Sequence, residues 1–326
     1  STGVAIVDIN DDGWQDIYVC ASNHMDPEMR RNQLYIHEGL NESGVPVFSE
    51  QSKSYGIDDE GYSTHAAFFD YDNDGDLDLY VLTNFLDTPT PNKYRPKKTD
   101  GSAESNDRLY RNNGDNTFTN VTMDAGIVFE GYGLGISIVD FNNDGWRDIY
   151  ITNDYLSNDL MFINNQDGTF ANVIDKYIKH QTHSAMGHDI ADINNDGLVD
   201  IFTLDMLPED NQGMKKMHGV TRFENEQFNK EFGYQPQYKR NMLQLNNGAD
   251  AFGNHTFSEI GLYAGVHATV WSWSALLADY DNDGYRDLFV SNGYPRDVTD
   301  LDYAVSGMSR GRSISNEEQM MMIPVR

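Results

Sequence analysis

Five short acidic motifs carry the residues of this 326-residue sequence that are best suited to chemistry. Each motif reads Asp-x-Asx-x-Asp-Gly-x-x-Asp, and the copies begin at Asp8, Asp70, Asp140, Asp192 and Asp279. Oxygen-bearing side chains at positions 1, 3, 5 and 9 of a tight loop suit Ca²⁺, which takes roughly six to eight oxygen ligands at about 2.3–2.6 Å. Glycine at position 6 permits the sharp turn that folds such ligands inward. The motifs therefore predict about five calcium sites.

Two further positions of the motif complete the predicted ligand set. The residue at position 7 varies, so we predict that its backbone carbonyl is the ligand. Position 4 is always Asp or Asn, and we predict that it stabilises the turn through hydrogen bonds to the backbone. The candidate metal ligands are Asp8, Asn10, Asp12, Trp14 and Asp16; Asp70, Asp72, Asp74, Asp76 and Asp78; Asp140, Asn142, Asp144, Trp146 and Asp148; Asp192, Asn194, Asp196, Leu198 and Asp200; and Asp279, Asp281, Asp283, Tyr285 and Asp287.

The motif differs from the EF-hand loop, which it resembles at its start. An EF-hand has a bidentate Glu at position 12 and a helix on each side. Position 12 is here Val19, Val81, Ile151, Thr203 or Val290, inside a run typical of a strand. A single acidic loop could be a solvated turn, but five copies in the same strand context argue against that reading. We expect the calcium to be structural, so no catalytic residue and no other cofactor is predicted.

Composition limits the partners of the chain. It has 52 acidic and 23 basic residues and a net charge of −29, so it repels phosphate backbones and we expect no nucleic-acid partner. The single Cys20 excludes an intrachain disulfide and a thiol-based zinc site. No apolar stretch approaches the ~20 residues that cross a bilayer, so no transmembrane segment is predicted.

The elements that position these loops are short strands. An apolar run precedes each motif and a β-branched or aromatic run follows it, and third and fourth runs recur around Asn-Asn turns. Four-stranded units repeated along a chain predict an all-β fold, a β-propeller of antiparallel blades with about four to five blades present. We treat residues 1–326 as one propeller domain with units at about 1–56, 57–126, 127–178, 179–264 and 265–299, a helical or loop insertion at about 205–240, a surface loop at 86–104, and a non-repeat tail at 300–326.

The loops and their strand flanks resemble FG-GAP and VCBS repeats, as in the integrin α-subunit propeller. Residues 205–210, 240–248, 271–273 and 292–297 are similar to the cartilage acidic protein and ASPIC/UnbV relatives of Bacteroidota. Members of that group are typically exported, and many are long cell-surface lipoproteins. The resemblance implies a larger propeller of the seven-bladed type, at the outer membrane or outside the cell, with a lipid anchor beyond this sequence.

Two functions from different classes remain open. The first is a non-catalytic binding or scaffold module, with protein partners in a surface, outer-membrane or transporter-associated assembly, or with a glycan. The second is a calcium-dependent polysaccharide lyase or hydrolase, which would need Lys, Arg, Tyr or His converging with acids in a cleft. The tail from residue 300, with Met308 and the methionines at 320–322, is a candidate docking segment.

Overall fold

Short strands joined by tight turns make up most of the computed structural model, which describes residues 3–22, 24–86, 90–217, 223–293 and 300–301. These residues form two compact units. The first contains residues up to 177 together with 248–256, and the second contains 178–247 and the described residues from 257 onward. No helix among the described residues is long and apolar enough to cross a membrane.

The first unit contains three four-stranded antiparallel sheets, each with its strands in sequence order. Helix α1 (Ser52–Tyr55) and helix α2 (Ile174–Tyr177) each follow a fourth strand, and a short 3₁₀ turn lies at Pro27–Arg30. The strands are β1 (Val4–Val7), β2 (Asp16–Val19), β3 (Gln33–Leu40) and β4 (Pro46–Glu50); β5 (Ser63–Phe69), β6 (Asp78–Thr83), β7 (Arg108–Asn112) and β8 (Phe118–Asn120); and β9 (Gly133–Val139), β10 (Asp148–Asn153), β11 (Leu160–Asn164) and β12 (Phe170–Asn172).

The second unit carries a fourth four-stranded sheet and two two-stranded ones. The elements are β13 (Gln181–Thr182), β14 (Gly187–Ala191), β15 (Asp200–Leu204), α3 (Asn211–Lys216), α4 (Phe223–Glu231), β16 (Gln237–Tyr238), β17 (Met242–Ala249), β18 (His255–Glu259), α5 (Gly261–Ala264), β19 (Ser272–Ala278) and β20 (Asp287–Asn292). The four-stranded sheet has the order β14-β15-β17-β18, β19 pairs with β20, and β13 pairs in parallel with β16. Helices α3 and α4 lie in the stretch for which the sequence predicts a helical insertion, although residues 218–222 of it are outside the described residues.

The first strands of successive sheets lie side by side within each unit. Strand β1 neighbours β5 and β5 neighbours β9, while β14 neighbours β19. Glycine permits one of these close approaches, because a Cβ atom on Gly187 would lie 2.8 Å from the carbonyl oxygen of Trp273. The sheets thus meet at their first strands and extend outward in sequence order, as propeller blades do. The prediction of four-stranded antiparallel blades is confirmed.

The hydrophobic core lies between neighbouring sheets. In the first unit one buried cluster joins the first and second sheets and another joins the second and third, and in the second unit a cluster joins the sheet of β14 to β19 and β20. Strands β6, β10 and β15 are buried along their whole length. Because sheets cover both faces of these strands, their central residues are apolar on both faces and do not alternate with polar ones.

A buried Asp or Asn stands immediately before the third strand of each four-stranded sheet; these are Asn32, Asp107, Asp159 and Asn241. The side chain of Asp107 accepts hydrogen bonds from the Tyr80 hydroxyl (2.9 Å) and the Thr83 backbone N–H (2.7 Å). Asp159 accepts equivalent bonds from Tyr150 and Asn153, both at 2.9 Å. The residue therefore ties the end of the second strand to the start of the third.

Candidate metal-binding loops

The carboxylate at position 1 of every acidic loop organises its turn. It accepts hydrogen bonds from the backbone N–H groups at positions 5 and 6, as Asp8 does from Asp12 (3.1 Å) and Gly13 (2.8 Å). The same pair of bonds recurs at Asp70, Asp140, Asp192 and Asp279. The loops therefore share one pattern of backbone hydrogen bonds to the position 1 carboxylate.

Position 4 has a backbone conformation that the sequence did not predict. Its residue adopts the left-handed backbone conformation in all five loops, with φ between 55° and 62° at Asp11, Asn73, Asn143, Asn195 and Asn282. Asn and Asp tolerate this conformation better than other residues with a side chain. Backbone geometry therefore accounts for the restriction to Asp and Asn, and the predicted hydrogen bonds of this position to the turn stay a prediction.

Position 3 divides the loops into two kinds. In three loops it is Asn, and its amide donates to the position 5 carboxylate, as from Asn142 to Asp144 at 3.0 Å. In the other two it is Asp, and carboxylates meet there: oxygens of Asp70, Asp72 and Asp78 lie within 4.8 Å of one another, as do those of Asp279, Asp281 and Asp283.

The Asp72 carboxylate is the least satisfied group in these loops. Its Oδ1 atom is buried and has no hydrogen-bond partner among the described residues. Burial, together with the Asp74 and Asp70 carboxylates, raises the pKa of Asp72. A divalent cation would supply the missing partner and neutralise the repulsion, so the donor set fits a hard, oxygen-seeking ion such as Ca²⁺.

The carboxylate at position 9 connects each loop to the third strand. In the first four loops it is fully buried; its Oδ2 atom accepts from the backbone N–H at position 2, and its Oδ1 atom accepts from the third strand. The donors on the third strand are the backbone N–H groups of His37, Asn112, Asn164 and Asn246, at 2.8–2.9 Å from Oδ1. Burial raises the pKa of Asp78 and of Asp148 to about 7. Both oxygens thus already have partners, and Asp78 alone among these four also belongs to a three-carboxylate group.

Sequence reasoning missed the asparagine that completes this connection. The first Asn of each Asn-Asn turn also donates its side-chain amide to the carbonyl at position 8, from Asn112 to Leu77 (3.2 Å), from Asn164 to Arg147 (3.3 Å) and from Asn246 to Val199 (3.3 Å). The recurrence of this Asn after three of the motifs is the sequence signal, but taken alone it indicates only a turn.

Among the described residues, carboxylates of the predicted ligand sets come within 4.8 Å of one another in groups of three at two loops, those of Asp70 and Asp279. The side chain at position 7 points away from such a role in two loops. Trp14 and Tyr285 are 44% and 57% exposed, and the Trp14 ring stacks on His37 with centroids 4.4 Å apart. The N–H of position 7 donates to the position 5 carboxylate in every loop. The carbonyl of position 7 as a ligand stays a prediction.

A second group of polar side chains lies in the first unit, at the end of the strands opposite the loops. Arg95 pairs with the buried Glu130 and donates to the Tyr132 hydroxyl at 3.3 Å. The Lys97 ammonium lies 3.4 Å from Asn158 Oδ1 and 6.0 Å from the centre of the Phe129 ring. Burial lowers the pKa of Lys97. The sequence showed no such convergence, because the loop at 90–104 and the residues after 128 are far apart in the chain.

Comparison with solved structures finds distant similarity. A lectin from Agrocybe aegerita, described as recognising non-reducing terminal N-acetylglucosamine, is 16% identical with a TM-score of 0.42, over 88% of this chain and 59% of its own. A rhamnogalacturonan lyase from Bacillus licheniformis is 11% identical with a TM-score of 0.37, over 89% of this chain and 55% of its own. The chain thus spans less than two thirds of the length of these two structures.

Comparison by sequence gives a firmer result. No curated protein matches the chain. The model of the FG-GAP-like repeat matches at residues 4–81, 101–151 and 140–203, which together make up more than half of the sequence. These segments contain the first four acidic loops and the strands on either side of them. This chain therefore belongs to the family of FG-GAP-like repeat proteins.

Proposed function

We propose that this chain is a non-catalytic binding module whose blades are stabilised by calcium. The observation that carries the proposal is the group of Asp70, Asp72 and Asp78, whose oxygens lie within 4.8 Å of one another while Asp72 Oδ1 lacks a hydrogen bond in the described structure. Like charges at such distances repel, and the repulsion is stronger where burial lowers the local dielectric. A bound cation converts this cost into a stabilising interaction.

The contrast between the two ends of the strands supports a binding role. The acidic loops at one end keep a constant length of nine residues. At the other end the connection from second to third strand is short after β10, at residues 154–159, but long at 84–107 and at 205–241. Variable connections on a rigid scaffold are where proteins place recognition. We therefore propose that this end contacts the partner.

The partner class and location follow the same proposal. We propose protein partners in a cell-surface, outer-membrane or transporter-associated assembly, with glycan as a further ligand class, and an extracellular or lipid-anchored setting. The narrower kinship with the ASPIC/UnbV relatives of Bacteroidota is also a proposal. Residues 294–297 of that motif, and the suggested docking tail from 302 to 326, lie outside the described residues.

Counting bound calcium tests the proposal. Calorimetry on the chelator-treated chain should give about five Ca²⁺ per chain, with affinities on the order of 10⁻⁴–10⁻³ M, as in extracellular modules. The same preparation, applied to outer-membrane vesicles, should be retained in calcium and released by chelator. Absence of calcium binding at millimolar concentration would exclude the proposed role.

A second candidate function, a polysaccharide lyase, is favoured by the group of Arg95, Lys97, Glu130 and Tyr132. A lyase needs a base that removes the proton α to a uronate carboxylate, so that the C–O bond to the leaving sugar breaks as a double bond forms and the leaving oxygen takes up a proton from an acid or from water. A lysine whose pKa is lowered by burial suits the base, and an arginine suits the substrate carboxylate.

Ultraviolet absorbance of the unsaturated product separates the two functions. Uronate polysaccharides incubated with the calcium-loaded chain should give no product if the module only binds. If a product forms, Lys97→Met should abolish it while the adjacent, exposed Lys98→Met leaves it unchanged. That result would replace the binding proposal by the enzymatic one.

A further inference from the structure

A cavity lies beside helix α4, within the insertion between β15 and β17. It has a volume of about 380 Å³ and is lined by the helix and by the segment that leads to β17. That segment is fixed at its base, because Gln181 N–H donates to the Pro236 carbonyl (3.0 Å) and His183 N–H donates to the Tyr238 carbonyl (3.2 Å). The volume of the cavity falls in the lower part of the range of small-molecule sites, roughly 300–1,000 Å³.

Three aromatic rings line this cavity, and two of them are exposed. Phe223 is 71% and Tyr238 is 45% exposed, while Tyr234 is buried. The Tyr238 ring is held edge-to-face by His180, with ring centroids 5.4 Å apart. Aromatic surface exposed to water is unfavourable, so a ligand that covers these rings is stabilised by their burial. The flat C–H face of a sugar ring is such a ligand.

Polar groups in the lining favour a ligand that carries hydroxyl groups. Asn229 lines the cavity, and its side-chain amide makes no hydrogen bond in the described part of the chain. Its Oδ1 atom is shielded from solvent, so the Nδ2 group is the one that can reach a ligand. A hydroxyl oxygen of a bound ligand would accept a hydrogen bond from this amide. The backbone carbonyl of Asn229 already accepts from Tyr234 N–H at 2.8 Å, so the residue is fixed in place.

The charges of the lining favour a neutral ligand. Glu226 and Lys230 both line the cavity, four residues apart on α4, and their charges balance. In a chain with a net charge of −29, a wall without net charge neither attracts cationic peptides nor selects acidic sugars. Aromatic rings, an unpaired side-chain amide and balanced charge together suit the recognition of an uncharged saccharide.

We propose that this cavity binds one neutral pyranose unit of a glycan, stacked on Tyr238 and hydrogen-bonded to Asn229. The inference deepens the proposed binding function by naming a ligand class and its site. It is independent of the calcium loops, so loss of sugar binding with calcium-dependent stability intact would refute this site alone.

Calorimetry and saturation-transfer NMR on the full, calcium-loaded chain test the site. The probes are neutral mono- and disaccharides (glucose, galactose, mannose, N-acetylglucosamine and their β-linked dimers), galacturonate oligomers, and Phe-containing peptides. We expect at least one neutral sugar to bind with Kd on the order of millimolar. No binding across the neutral panel, equal binding of galacturonate oligomers, or preferential binding of the peptides would overturn the proposal.

Variants locate the binding within the cavity. Tyr238→Ala should weaken the affinity at least tenfold and Asn229→Leu about tenfold, whereas Tyr238→Phe, which keeps the ring, should bind like the parent. Tyr263→Ala removes a tyrosine that is 94% exposed on α5 and is the matched control. Each variant must melt like the parent in calcium. Unchanged affinity in both Tyr238→Ala and Asn229→Leu would contradict the assigned site.

Discussion

The residue at position 3 determines how strongly the carboxylates of a loop repel one another before a cation binds. Asn142 donates its amide to Asp144, so that loop has an internal substitute for part of a metal's role. Asp72 has none, and its Oδ1 atom lacks a partner in the described structure. Loops with Asp at this position therefore gain more from calcium, and we expect those at Asp70 and Asp279 to bind it most tightly.

Exchanging the two residue types tests this expectation. Asp72→Asn should weaken calcium binding at the second loop about tenfold, because it removes one ligand charge and supplies an internal donor. Asn142→Asp should strengthen binding at the third loop. Asp76→Asn, which removes the same charge from a position whose side chain is not a predicted ligand, is the control for calorimetry. Equal losses in Asp72→Asn and Asp76→Asn would show that only overall charge matters.

Asp107 predicts a pH dependence that is separate from the metal loops. Burial raises the pKa of this carboxyl to about 7 from its usual 3.8. A raised folded-state pKa means that its stabilising effect is complete below about pH 4 and is lost as the pH rises to about 7. Above that pH the buried charge costs on the order of 2–4 kcal/mol.

Replacing Asp107 by Asn should remove this loss of stability with rising pH. Asn32 fills the equivalent position in the first sheet, where its amide donates to the Tyr18 hydroxyl at 3.0 Å, so the exchange is structurally feasible. Urea unfolding in saturating calcium should show Asp107→Asn gaining stability over the parent between pH 4.5 and 8. The exposed Asp124→Asn is the control. A pH profile parallel to that of the parent would refute a charged, buried Asp107.

At the scale of elements, each loop and its third strand form one structural unit. Asp148 and Asn164 join them from opposite sides: Asp148 accepts from Asn164 N–H (2.9 Å), and the Asn164 amide donates to the Tyr71 carbonyl (2.7 Å). The second of these bonds reaches a neighbouring loop. The asparagine therefore holds successive blades together as well as its own turn.

Asn164→Ala should destabilise the protein by about 1–3 kcal/mol, because it leaves the buried Tyr71 carbonyl without its donor. Asn165→Ala, which removes one exposed bond to Thr169 Oγ1 (2.9 Å), should cost less than about 0.5 kcal/mol. Denaturant unfolding in calcium and in chelator compares them. Equal losses of stability in the two variants would mean that the side-chain hydrogen bonds of Asn164 contribute nothing to the stability.

The sequence allowed the strands and the loops to be predicted because both are local. Glycine at position 6 and the β-branched runs around Tyr80 and Tyr150 depend on neighbours within a few residues. The link between Asp78 and Asn112, the convergence of Lys97 with Asn158, and the cavity of Tyr238 and Asn229 depend on chain reversals of many residues or on side-chain packing. The periodicity of the sequence does not indicate such long-range contacts.

For the whole molecule, the main physical constraint is its large net negative charge. The chain carries a net charge of −29, and five divalent ions would bring it to −19. Much of the negative charge is concentrated in five loops at one end of the sheets, so its effect is local repulsion more than diffuse repulsion. Calcium should therefore act as a structural component of every blade that carries a loop.

Thermal unfolding with and without calcium tests the central claim most directly. Calcium at tenfold its dissociation constant stabilises by about 1.4 kcal/mol per site, and several sites add. We expect excess chelator to lower the melting temperature substantially, and excess calcium added afterwards to restore it, with magnesium restoring less. A melting curve that is the same in chelator and in millimolar calcium would contradict calcium as the ion that holds these blades together.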